Sequence, residues 1–211
     1  AGALVFVFVS FPDPHHPFTP PGKEWDLPRP QDFAWTLPYE AHRNPTPPLR
    51  FVHNAWKSKA VLVSPQTATM ATKRQLQETM ALSAGMISMI DDAIGDLLTT
   101  LQDTGLYDDT IVCFTSDHGD YLGDFGLLLK GAMPFRSITQ VPMIWSDPAD
   151  RGARTTDALA ATIDLPATIL DRVGVAPSFG MPARTFLPVL HGVTGQHRDE
   201  LFLEYTDIGA R

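Results

Sequence analysis

Runs of apolar residues divide the chain. Residues 3–11 (ALVFVFVSF) are almost unbroken in apolar character, and residues 110–115 (TIVCFT) form a short β-branched stretch. Both compositions suit buried strands. Residues 141–145 (VPMIW) read as another strand, with 158–163 and 201–205 as further ones. Leu82, Met86, Met89, Ile90, Ala93, Leu97 and Leu101 recur at spacings of three and four. That periodicity predicts a helix over 75–102, stopped at Gly105. Met80, Met86 and Met89 then read as core packing. A second helix is expected after Asp164 as N-cap, with Pro166 in its first turn and Gly174 as its stop. Strands separated by helices predict an α/β fold with a mainly parallel sheet flanked by helices.

Proline breaks this pattern early. Eleven of the nineteen prolines lie between Pro12 and Pro48. Residues 12–21 (PDPHHPFTPP) make a stiff loop that can hold a His at the end of the first apolar run. Residues 23–50 are expected to form a long surface excursion near the rim of a site. His42 and His53 have no partner spacing and read as solvated or structurally hydrogen-bonded.

The run at 3–11 is too short to span a membrane, and it lacks the basic start and small-residue cleavage site of a signal peptide. No compartment is assigned. The chain has 211 residues, 44% hydrophobic and 19% charged, enough for one globular unit with a sizeable core. Its net charge of −8, with no basic block, argues against nucleic acid as a partner. The lone Cys113 excludes an internal disulfide framework and a multi-Cys zinc site, and inside a strand it reads as a small core residue.

The chemistry gathers at residues 116–120, Ser-Asp-His-Gly-Asp, where the apolar run of 110–115 ends. Ligands of open α/β sheets bind at the carboxyl ends of strands. Asp117 offers hard oxygen and His118 offers nitrogen, so the pair can hold a divalent cation, while Gly119 permits a sharp turn. An ordinary turn is the alternative, because Asp, Gly and Ser also punctuate loops. Asp91 and Asp92 fall inside the helical pattern and read as a solvated face. Arg136 can face an anion or form a salt bridge.

The longer string from Asp117 to Leu127, DHGDYLGDFGL, followed by Lys130-Gly131, resembles the sulfatase family of the alkaline phosphatase superfamily. So do Pro14-His15-His16-Pro17-Phe18, residues 164–170 (DLPATIL) and residues 184–192 (RTFLPVLHG), in the family's order. The resemblance implies that Asp117 and His118 bind a metal and that Lys130 contacts sulfate or phosphate oxygens. It also implies that His15 faces the substrate, with His16 in the variable position. Phe125 stands where the family often has His, and Gln140 where it often has Arg. The expected fold is alkaline phosphatase-like, present only as its C-terminal portion. Residues 1–195 would belong to the catalytic domain and 196–211 would open a small C-terminal subdomain.

The same resemblance implies what lies elsewhere. The family's first half carries an Asp-Asp pair and a Cys-x-Pro-x-Arg or Ser-x-Pro-x-Arg motif, whose Cys or Ser becomes the formylglycine nucleophile. Cys113 and the serines here do not match that motif. The chain is therefore expected to be part of a longer sulfatase, resembling the second half of an arylsulfatase or choline-sulfatase. That parent would hydrolyse a sulfate monoester, small molecule or glycan, with a divalent cation: calcium first, magnesium or manganese as alternatives. A phosphonate or phosphate ester hydrolase, or a non-catalytic domain binding metal or a partner, remains open. Alone, the chain is expected to be inactive and to self-associate through surfaces left open. Asp117, His118, Lys130 and His15 are expected at the carboxyl edge of one sheet.

Overall fold

The computed structural model describes residues 5–26, 28–34, 37–59, 68–178 and 180–205. In chain order the regular elements are α1 (Pro47–Lys57), β1 (Thr69–Met70), α2 (Lys73–Asp103), β2 (Val112–Thr115), β3 (Leu127–Leu128), α3 (Arg136–Thr139), β4 (Met143–Ser146), α4 (Leu165–Arg172) and α5 (Leu187–Leu190). They fall into two compact units. One runs to Gly105 and resumes over Asp120–Ile138; the other comprises Leu106–Gly119 and the residues from Thr139 onward.

In the first unit, α2 begins where Thr72 and Gln75 cap each other. The Gln75 N–H donates to Thr72 Oγ1 at 3.4 Å and the Thr72 N–H donates to Gln75 Oε1 at 2.9 Å. The helix ends at Gly105, whose φ of +71° glycine adopts without strain. The helix expected over 75–102 thus forms, but its seam differs. Its buried positions lie between Leu76 and Met86, while Leu97 is exposed. The apolar spacing continues beyond what the described residues cover. The core cluster joins Leu49 and Val52 of α1, Ala68, Met70 of β1, Tyr121, Leu127 of β3 and Met133. Strands β1 and β3 pair antiparallel, with Met70 opposite Leu127.

The proline-rich excursion is not a free rim. It contains short 3-10 turns at Gly22–Trp25, Pro30–Asp32 and Tyr39–Ala41, then α1, with Pro47 in its first turn. Gln77 Nε2 of α2 donates to the Phe33 carbonyl at 2.7 Å, and Lys23 lies 3.6 Å from Asp92. Asp92 thus sits on a solvated helical face, as its sequence position suggested. The turn at Gly22–Trp25 packs so closely on α2 that a Cβ at Gly85 would lie 2.2 Å from the Glu24 carbonyl oxygen. His53 is buried and stacks on Tyr39 at 3.6 Å, and His42 lies 5.0 Å from Phe125. His53 is also hydrogen-bonded to the Asn54 side chain, which is the structural role its sequence position suggested, and His42 packs on aromatic rings.

In the second unit, β2 and β4 pair antiparallel from Val112 opposite Ser146 to Thr115 opposite Met143. Burial pushes the Cys113 thiol up, which suits its reading as an unreactive core residue. Asp164 is fully buried at the start of α4, but its carboxylate does not cap the helix. It accepts instead from the backbone N–H groups of Ala161 and Arg184, from His197 Nε2 at 3.0 Å and from Arg198 Nε at 2.7 Å. Burial raises its pKa, but these donors outweigh burial and hold the carboxyl far below the carboxylate range. Thr168 Oγ1 accepts the Phe186 N–H at 3.1 Å. Residues 164–168 and 184–186 are thereby bonded to each other. Gly174 ends α4 with φ +72°.

Three expected strands do not form among the described residues. Of the run expected over 3–11, residues 3 and 4 lie outside the described residues, and residues 5–11 lie outside any strand, with Val5 to Val9 exposed by 51 to 82%. Residues 158–163 make a single bridge, Leu159 to Arg198, before a 3-10 turn at Thr162–Asp164. Residues 201–205 lie outside any strand. The cause is common to all three: an apolar run becomes a strand only when a neighbour satisfies its backbone, and among the described residues the single bridge at Leu159 is all that forms. The mainly parallel sheet is also corrected, because both ladders are antiparallel and contain two strands each. No described helix is long and apolar enough to cross a membrane.

Two outcomes test this packing. Gly85→Ala should lower stability by about 1–3 kcal/mol through overpacking on Glu24, despite better helix propensity. Gly95→Ala in the same helix meets nothing within 4 Å and should raise stability by about 0.5–1 kcal/mol. Urea denaturation of both variants distinguishes them. Separately, the Arg172 guanidinium bonded to Asp147 holds that buried carboxyl down at about 2, from 3.8. A carboxyl lowered on folding contributes above its unfolded pKa and loses that contribution as pH falls through the folded value. Stability of about 2 kcal/mol should therefore disappear between pH 4 and 2. Asp147→Asn should remove this dependence in pH-resolved denaturation.

Candidate active site

The first unit supplies the His loop and the lysine. The backbone after Phe11 turns at Pro12, where the His15 N–H donates to the Pro12 carbonyl at 3.2 Å. The His15 and His16 rings stack with centroids 4.0 Å apart. His15 Nδ1 lies 2.7 Å from the His16 carbonyl oxygen. A carbonyl only accepts, so Nδ1 carries a proton and Nε2 is the ring nitrogen left for proton transfer. His16 is half-buried and its Nδ1 is buried without a hydrogen-bond partner. Burial, then His15, then the Lys130 ammonium hold the His16 ring below its ordinary pKa. Lys130 therefore lies within electrostatic reach of the His loop.

The segment carrying Lys130 is tightly wound. Leu122, Phe125 and Leu129 have φ of 41°, 54° and 67°, in the left-handed region that costs non-glycine residues about 1–3 kcal/mol. Packing holds them there: Phe125 lies 4.7 Å from Phe135 and beside His42. Phe125 is thus an aromatic packing residue.

The second unit supplies the carboxylate and imidazole. Strand β2 ends at Thr115, whose hydroxyl donates to the Pro142 carbonyl at 2.9 Å, and the chain turns through Ser116. The His118 N–H donates to Asp117 Oδ1 at 2.9 Å, and the Ser116 hydroxyl donates to the His118 carbonyl at 2.9 Å. His118 Nδ1 donates to the Gly119 carbonyl at 2.8 Å, which turns Nε2 toward Asp117 Oδ2, 3.6 Å away. His118 Nε2 and Asp117 Oδ2 are thus one nitrogen and one oxygen 3.6 Å apart, near enough to ligate one cation together. What burial Asp117 has raises its pKa, but the His118 N–H, the His118 ring and Ser116 outweigh it. The carboxyl is held below its ordinary value and is ionised at neutral pH. Among the described residues, no group of three or more His, Cys, Asp or Glu is placed to hold a metal. The pair fits part of a metal shell, because hard cations take six or more ligands.

In the first unit the structure thus stacks His15 on His16, with the Lys130 charge within electrostatic reach of His16, and in the second it sets Asp117 beside His118. Asp117 follows β2 of one two-stranded sheet, Lys130 follows β3 of the other, and His15 follows coil. Tyr121 was missed. It is buried and hydrogen-bonded to Met133, twelve residues away, a pairing that no local spacing announces.

This arrangement of Asp-His-Gly, lysine and His loop lies within a region, residues 5–175, that matches the Sulfatase family profile. The chain belongs to the sulfatase family, within the alkaline phosphatase superfamily. The multifunctional alkaline phosphatase superfamily protein PehA of Trinickia caryophylli is 32% identical over 134 residues, 62% of this chain and 26% of that protein. The choline-sulfatase of Rhizobium meliloti (strain 1021) is 27% identical over 203 residues, 93% of this chain and 37% of that protein. The phosphonate monoester hydrolase of Agrobacterium radiobacter matches in structure with a TM-score of 0.76 at 26% identity, covering 100% of this chain and 43% of that one. The chain spans well under half the length of each of these proteins.

One titration tests the first-unit cluster. By NMR, the His16 ring should titrate below 6.5, and Lys130→Met should move it upward by removing a nearby positive charge. A His16 titration insensitive to Lys130 would separate the two groups.

Proposed function

We propose that this chain is the second part of a sulfatase-type hydrolase whose complete form cleaves a sulfate monoester. Family membership over residues 5–175 carries the reading. The Lys130 charge within electrostatic reach of His16 supports it, because an ammonium near the His loop suits a transferring anionic group. In this reading Lys130 holds the sulfate oxygens and stabilises their charge. His15, with Nδ1 committed to the His16 carbonyl, donates a proton from Nε2 to the leaving oxygen when the ring carries both protons, or stabilises that oxygen by the same hydrogen bond. Asp117 and His118 supply one oxygen and one nitrogen to a divalent cation, calcium first, which would polarise the ester oxygens and favour the ionised nucleophile. The nucleophile itself, formylglycine in this reading, belongs to the rest of the parent protein. The substrate is a sulfated small molecule or glycan.

A second reading is favoured by a specific observation: the structural match to a phosphonate monoester hydrolase at TM-score 0.76. Phosphonate and sulfate monoesters both present anionic oxygens, so Lys130 and His15 serve either. Turnover of an aryl sulfate and an aryl phosphonate by the full-length protein decides between them: preference for the phosphonate overturns the sulfate reading. Asp117→Ala should lower both metal content, measured by elemental analysis, and turnover, by about 10–100-fold or more. Unchanged metal stoichiometry and rate would remove Asp117 from the site. Lys130→Ala should lower kcat/KM by about 100–1,000-fold, as loss of a transition-state donor does.

A further inference from the structure

Lys130 lies in the five-residue stretch 129–133, which has little regular structure to hold it. Its predecessor Leu129 is left-handed at φ 67°, and the next residue, Gly131, sits against Ala68, whose backbone N would lie 3.4 Å from a Cβ placed there. Both ends of the stretch are nevertheless tied to one residue. The Tyr121 N–H donates to the Leu129 carbonyl at 2.8 Å. The Tyr121 hydroxyl donates to the Met133 carbonyl at 3.0 Å and accepts the Met133 N–H at 3.1 Å. Tyr121 is 1% exposed, and its ring packs edge-on to Phe135 at 5.9 Å. These bonds are therefore made away from water, where an unpaired donor or acceptor costs most.

From this geometry we infer that Tyr121 is the positioning residue for Lys130: its backbone and phenol clamp residues 129 and 133, and so set where the ammonium sits. The inference rests on the proposed role of Lys130. Its physical content is that the phenol contributes a fixed position rather than a substrate contact. A left-handed Leu129 next to a flexible lysine would otherwise relax, because glycine at 131 imposes no conformation of its own. A misplacement of about 1 Å at a catalytic group costs up to about 100-fold in rate. The phenol reads both polar groups of Met133 at once, so removing only the oxygen frees one end of the stretch while the ring still fills the core.

The test is a double-mutant cycle in the full-length protein with an aryl sulfate and an aryl phosphonate. Tyr121→Phe should lower kcat at least about tenfold with KM changed little, since position matters most in the transition state. Placed on Lys130→Ala, the same change should cost nothing further, because the residue it positions is gone. A full additional loss on Lys130→Ala would make Tyr121 merely structural and overturn the inference, as would wild-type kcat in Tyr121→Phe. Wild-type kinetics in Lys130→Ala alone would instead remove the role of Lys130 and, with it, the premise. If Tyr121→Phe does not fold, 3,5-difluorotyrosine at 121 keeps the ring and the oxygen but ionises at lower pH. Its rate should then fall as the phenol loses the proton donated to Met133. A pH profile matching that of the unsubstituted protein would overturn the clamp.

Discussion

Asp164 carries a negative charge with no exposed surface, and it is tolerated only because donors surround it. The Ala161 and Arg184 N–H groups, the His197 ring and the Arg198 guanidinium all point at its two oxygens. Burying an unpaired carboxylate is prohibitive, whereas a fully bonded one fixes the groups that bond it. The start of α4, the segment at 184–186 and residues 197–198 are ordered by one residue. The same demand, that a buried polar group find a partner, governs the first unit. There the Tyr121 phenol satisfies Met133, and the Thr72–Gln75 pair satisfies the start of α2.

The demand also explains what is missing. Residues 5–10 have a strand's composition and no strand's hydrogen bonds. Burying their side chains would require burying their backbone, and no described segment offers a ladder. Strands β2 and β4 did find each other, and their exposed face includes Phe114 and Ile144. Composition states a preference for pairing; it does not supply the partner.

The residues proposed for the site sit where this framework is most local. Asp117 and His118 are adjacent in sequence, and their geometry follows from bonds among residues 116–119 alone. A carboxylate and an imidazole one residue apart, each with its backbone bond, can be arranged with almost no help from distant packing. His15 is similar, with Nδ1 committed to its neighbour's carbonyl. Lys130 differs, because its stretch is held by Tyr121 nine residues earlier and by contacts with Ala68. The strain at Leu122, Phe125 and Leu129 is offset by burial of Tyr121, Leu127 and Met133.

The sequence by itself determined the features that depend on near neighbours. It located α2 to within two residues at its start, since the apolar spacing is a local signal. It located the stops at Gly105 and Gly174, where only glycine adopts the left-handed turn cheaply. It also marked Asp117, His118, His15 and Lys130 through short motifs, and the family those motifs share. Only the tertiary structure decided which apolar runs became strands, that both ladders are antiparallel, and that the proline-rich excursion lies along α2 against Gly85. It also turned Asp164 from a helix cap into the centre of a buried charge network, and gave Tyr121 its two bonds to Met133. These outcomes hinge on which residues, far apart in the chain, satisfy one another's charges and backbone groups out of water, and residue spacing carries no signal for that choice.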